Sequence, residues 1–241
     1  MRTSLIAGAL AACLASDAMA IEFSHTVTGE QAGDAKPMAW RYRVLAAGQD
    51  RFDQDAPRLA PGASLAFVLP KVEGGDNRVQ IVKAEGPVSL PMVSPTSFKL
   101  VRDDSAAEEN AEVVVNRSFA PGQMIHPNVQ VRSPGLAPDT RRLGDLRLAC
   151  QVQMAMVKTE ELKIRALLAV GSMFGLDVCK TAKVDEFDAP RRFAQVVLEY
   201  GTRRSVYGSR GTGQQRVPAL SDSAWPDDTR VSYVSEDVAA Q

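Results

Sequence analysis

Gly144-Asp145-Leu146-Arg147-Leu148-Ala149-Cys150-Gln151-Val152-Gln153-Met154-Ala155-Met156-Val157-Lys158-Thr159 carries two incompatible periods, and the architecture turns on which one the chain obeys. Leu146, Leu148, Cys150, Val152, Met154 and Met156 alternate strictly with their neighbours, as on the buried face of a strand. Cys150, Met154 and Val157 also follow one helical stripe, which Ile164 and Leu168 continue and Glu161 interrupts. Propensity separates the two readings. Only Val152 and Val157 are β-branched before Thr159, and from Ala149 to Phe174 there is no Pro and no Gly before Gly171. Glu160 and Glu161 precede Lys163 and Arg165, which suits charge pairing along a helix. We therefore expect a strand-like lead-in over 144–148, then one long or broken helix to about residue 174.

Cys150 and Cys179 bracket this segment and are expected to form a disulfide, since a lone pair in an oxidising compartment usually does. Closing a loop of that length restricts the unfolded chain by roughly 3–4 kcal/mol. An unbroken helix would extend past about 30 Å and keep the two apart, so the pairing requires a break, best placed near Lys158-Thr159. Two thiols without a neighbouring His or Cys set do not spell a zinc site, and the short Cys-x-x-Cys redox spacing is absent. No metal and no cofactor is expected.

Upstream, residues 39–132 read as β structure. Trp40, Tyr42 and Val44 alternate with Arg41 and Arg43. Pro61-Gly62 marks a turn before the apolar run Leu65 to Leu69, and Gly74-Gly75-Asp76-Asn77 reads as a hairpin connection into Val79 to Val82. Further apolar segments lie at Val88–Leu90, Phe98–Val101, Val113–Val115 and Val129–Val131, and the acidic Asp103–Asn110 reads as a solvated loop. Short strands with turn signals between them suggest an antiparallel sandwich. Ser133 to Asp139, rich in Pro and Gly, is the best internal boundary.

Downstream, Phe193 to Tyr200 and Arg203 to Tyr207 flank Gly201-Thr202, the requirement of a II′ hairpin. Gly208 to Pro218 reads as a mobile connection, Val231 to Val234 as a last strand, and Ser235 onward as a frayed tail. The expected class is α+β, mostly β: a sandwich-like part over 21–135, then a helix-containing part over 136–235 that returns to a β-hairpin, and a disordered tail over 236–241.

The first twenty residues give an address. Arg2 precedes an apolar run from Leu5 to Leu14, and Ala18-Met19-Ala20 supplies small residues at −3 and −1. That is the layout of a secretory signal peptide cleaved after Ala20, so the mature chain starts at Ile21. The run is too short for the roughly 20 residues of a membrane span. Leu10-Ala11-Ala12-Cys13 spells a rival lipoprotein site, with Cys13 lipidated, but only twelve residues precede it. The expectation is a periplasmic protein, with a lipid anchor at Cys13 as the alternative.

Net charge is −1 with or without the first twenty residues, so nucleic acid is not an expected partner. Charge is uneven, however. Residues 141–216 hold fourteen Lys and Arg against eight Asp and Glu, including the pairs Arg141-Arg142, Arg191-Arg192 and Arg203-Arg204. Clustered guanidinium groups suit phosphate or carboxylate partners, although solvated faces and salt bridges to the acidic half account for them more simply.

Catalytic signals are sparse. His25 and His126 are the only histidines, and no Gly-x-Ser-x-Gly elbow lies near His126. Asp185, Glu186 and Asp188 cluster, but two-carboxylate chemistry needs a facing geometry that sequence does not show. Gly208 to Gly213 lacks the Lys-Ser/Thr ending of a phosphate-binding loop. We expect a non-enzymatic exported binding or envelope-assembly protein. The alternatives are a carboxylate-dependent envelope hydrolase and a binder of anionic lipid through the arginine pairs.

Overall fold

Residues 37–69, 76–118, 127–159, 178–185, 193–208 and 217–235 are described by the structure, a computed structural model. They form twelve strands in three antiparallel sheets and four helices, an α+β architecture that is mostly β. The first sheet runs β1 (Pro37–Arg41), β7 (Glu112–Ser118), β3 (Val79–Lys83), β4 (Gly86–Ser89). The second runs β5 (Met92–Ser94), β6 (Ser97–Phe98), β2 (Ser64–Val68), β8 (Asn128–Arg132). The third runs β11 (Arg203–Gly208), β10 (Gln195–Tyr200), β12 (Arg230–Val234), β9 (Thr140–Arg142). The helices are α1 (Tyr42–Leu59), α2 (Asp104–Glu108), α3 (Leu143–Thr159) and α4 (Val178–Thr181).

Helix α3 resolves the double period. Leu143, Leu146 and Cys150 point into a core built with Val196, Leu198, Val231, Tyr233 and Trp225 of the C-terminal part. Leu148, Ala149, Val152 and Met156 point into a separate core shared by the first two sheets and α1. Two stripes at helical spacing, offset by two residues, produce the alternation of a strand. A helix between two cores is apolar on opposite sides. The lead-in over 144–148 is therefore helical, which corrects the strand expected there. The helix starts at Leu143 because its first N–H groups are met: Leu143 N donates to Thr229 O and Gly144 N to Asp227 O. Residue 144 must also be glycine for space, since a Cβ there would lie 1.9 Å from the Leu59 carbonyl oxygen.

Cys150 and Cys179 meet in disulfide geometry, Sγ to Sγ 2.03 Å and Cα to Cα 5.9 Å. An unbroken helix through both would hold their Cα atoms about 40 Å apart, so no single straight helix joins them. The rest of the helix expected toward residue 174 lies outside the described residues.

Three other expectations are corrected. The chain after β1 is not a strand: Tyr42, Val44, Leu45, Gly48, Phe52, Ala56 and Leu59 are buried at helical spacing along the 18 residues of α1. The alternation of Trp40, Tyr42 and Val44 straddles a strand end and a helix start. Asp103–Asn110 is no plain loop, because Ala106 is buried in α2 and the Asp103 side chain accepts from Ala106 N at 3.0 Å as its N-cap. Finally, β2 and β3 belong to different sheets, so no hairpin joins them. The hairpin after β10 agrees with the sequence: β10 and β11 pair from Tyr200↔Arg203 to Gln195↔Gly208, with Gly201 at φ 57°.

Candidate functional site

The third sheet sorts the arginines. Directly paired residues of an antiparallel sheet share a face. The register Glu199↔Arg204, Glu199↔Arg230 and Arg230↔Arg142 therefore places Arg204, Glu199, Arg230 and Arg142 in one row across all four strands. The adjacent row, Ser205, Leu198, Val231 and Arg141, faces the other way, into the second core.

Strand alternation thus splits both described pairs, Arg141-Arg142 and Arg203-Arg204. Arg141 is 5 % exposed and donates to Pro138 O at 2.7 Å and Thr140 O at 2.9 Å. Arg203 stacks its guanidinium 3.7 Å from the Trp225 ring centroid and donates to Ala224 O. Arg141 thus braces its own turn, and Arg203 ties the hairpin to the 224–225 segment. Arg142 and Arg204 turn outward: Arg142 pairs with Asp228 and donates to Ser133 Oγ, while Arg204 donates to Glu199 at 3.0 Å. Arg230, between them, is exposed and makes no side-chain hydrogen bond or ion pair among the described residues. Arg191 and Arg192 lie outside the described residues.

Arg230 was missed in the sequence because it stands alone after Asp227-Asp228-Thr229. Its signal is the alternation of Val231 and Tyr233 inward with Arg230 and Ser232 outward, together with a register that only the folded sheet supplies.

Two other polar clusters have structural explanations. At the start of α3, the fully buried Asp145 accepts from Ser133 N (3.1 Å), Ser133 Oγ (2.7 Å) and Arg142 N (3.2 Å). Two residues on, Arg147 donates to Leu220 O, Asp222 O and Trp225 O and pairs with Asp227 at 2.5 Å. Every one of those acceptors belongs to the 220–227 loop, so Arg147 fixes its path.

The second cluster has the parts of serine chemistry: Lys83 Nζ lies 3.0 Å from Ser105 Oγ, which donates to Asp103 at 2.7 Å. Its protonation is wrong for that role. The hydrogen bond from Lys83 holds the Asp103 carboxyl far below the usual range, and Asp103 in turn raises the lysine, which keeps its proton and offers no base. Tyr42 completes the cluster. Its hydroxyl accepts from Asp103 N and donates to Val101 O, and burial raises its pKa. The neighbouring concavity, about 560 Å³ and lined by Val82, Ala84 and Glu109 to Glu112, is open to solvent.

Of the carboxylates singled out in sequence, Asp185 follows the short helix α4, and Glu186 and Asp188 lie outside the described residues, as do His25, His126, Cys13, Ala18 and Ala20. Among the described residues no group of three His, Cys, Asp or Glu could hold a metal ion, and no helix is long and apolar enough to cross a membrane. Comparison with protein-family models, curated proteins and solved structures finds no match.

Proposed function

We propose that the chain is an exported, non-enzymatic binding or envelope-assembly protein, with a sandwich-like N-terminal part as scaffold and the third sheet as its contact face. The observation that carries the reading is the Cys150–Cys179 pair in disulfide geometry, tying α3 to the second core. Persistent structural disulfides belong to oxidising compartments, which agrees with the signal-type N-terminus. The fixed charge on Lys83 supports a non-catalytic reading of the serine cluster.

The test is the intact mass of the protein recovered from cells, with and without reduction, followed by crosslinking in intact cells. A chain that begins at Ile21 and gains one hydrogen per sulfur on reduction, with a discrete crosslinked envelope partner, is expected. A chain that keeps Met1, or one with unreacted thiols, contradicts export. A start at a lipidated Cys13 replaces the soluble form with a membrane-anchored one.

A further inference from the structure

We propose that the outward Arg204–Glu199–Arg230–Arg142 row at the end of the third sheet, beyond the buried Val197 on the same face, docks on an anionic phospholipid surface, with Arg230 and Arg204 taking headgroup phosphates and Arg142 adding to the field. This names the ligand class of the binding protein proposed above, and rests on that reading for access to an envelope membrane.

Three features of the row carry the proposal. First, Arg230 is an exposed guanidinium with no side-chain partner among the described residues, set between Arg142 and Glu199 by strand register. Arg141 and Arg203 are engaged within the fold, Arg141 with nearby carbonyls and Arg203 over the Trp225 ring, whereas Arg230 has no such contact among the described residues. A planar guanidinium fork matches phosphate oxygens two at a time.

Second, among the described residues the three arginines of the row outnumber their two acids, Glu199 and Asp228. Glu199 engages Arg204 and Asp228 engages Arg142, so among the described residues of the row Arg230 is the uncompensated group. Both acids are on the surface, with side chains 44 % and 70 % exposed, so each pair is open to competition by phosphate. Third, the row spans four strands, about 14 Å at the usual interstrand spacing. Cations spread along a sheet face meet phosphates presented side by side, as a bilayer surface presents them.

The experiment is co-sedimentation of the purified chain with phosphatidylglycerol vesicles, with phosphatidylcholine vesicles as control. The protein is expected to partition onto the anionic vesicles alone, and less as salt rises. Arg230→Gln should lower partition about fivefold, the weight of one cation near such a surface. Glu199→Gln should raise it by a similar factor, because it removes an anion and frees Arg204, a gain that damage to the fold would not give. Unchanged melting curves establish that both variants fold.

No partition onto phosphatidylglycerol, or partition unaffected by Arg230→Gln, overturns the proposal. Saturable binding of inorganic phosphate that Arg230→Gln abolishes, without vesicle partition, also overturns it and assigns the row to a free anion. Failed partition by a chain that starts at Ile21 in cells sinks the lipid surface alone. A chain that keeps Met1 in cells sinks the export reading whatever the vesicles do.

Discussion

The two cores that share α3 are held together differently. Among the described residues the first buries 27 hydrophobic side chains, mostly from two sheets, α1 and α3, including the stacked Phe67 and Phe98 rings 5.5 Å apart. The second buries 12 around Trp225 and the third sheet. Apolar burial stabilises roughly in proportion to area, so the smaller core has less to hold it. It carries compensating directed ties: the four acceptors of Arg147, the Arg203–Trp225 stack and the Cys150–Cys179 bond. Small cores lean on crosslinks and polar clamps where large ones rely on packing.

The largest effect is expected where the two cores meet. Gly144→Ala drives a methyl group into the Leu59 carbonyl at the junction of α1 and α3. It should cost about 4 kcal/mol or more, read as a lower urea midpoint or as loss of soluble protein. An unchanged midpoint would show that the helices separate freely, and the shared-helix picture would fail.

Leu148→Ala and Leu146→Ala then separate the cores, because these fully or nearly fully buried neighbours on α3 face opposite ways. Each should cost about 3 kcal/mol. Hydrogen exchange should show Leu148→Ala releasing β2 and β7, and Leu146→Ala releasing β10 and β12. Identical exchange maps would mean that the cores unfold as one unit.

A smaller effect concerns the first core alone. Asp103 is held below its unfolded pKa, so its contribution is complete above about pH 4 and fades as acid approaches the folded value. Lys83 is raised, so its contribution is complete below about pH 10 and fades as pH climbs through the folded value. Asp103→Asn should flatten the acid side of a melting-temperature profile and weaken the alkaline side. A mutant profile parallel to wild type would remove this ion pair from the account.

Much of the β structure is legible in the sequence. The strands around Leu65–Val68, Val79–Val82, Val113–Val115 and Val129–Val131 carry short apolar runs between turn residues, and Gly201-Thr202 marks its hairpin. The helices are harder because their periods are disguised. Tyr42 and Val44 prolong an alternation begun in β1, and α3 alternates because it is buried on both sides. The arginine row is illegible for another reason. Arg142, Arg204 and Arg230 are dispersed in sequence and meet only through strand register, a non-local property.

Hydrogen exchange of the native protein with and without a dithiol reductant puts the division between the cores to the test. Opening the disulfide should strip protection from β10, β12 and residues 178–185, with a loss on the order of 3 kcal/mol, while α1, β2, β3 and β7 keep theirs. Equal loss across both groups, or no loss in either, would contradict a second core that depends on the crosslink while the first stands on packing.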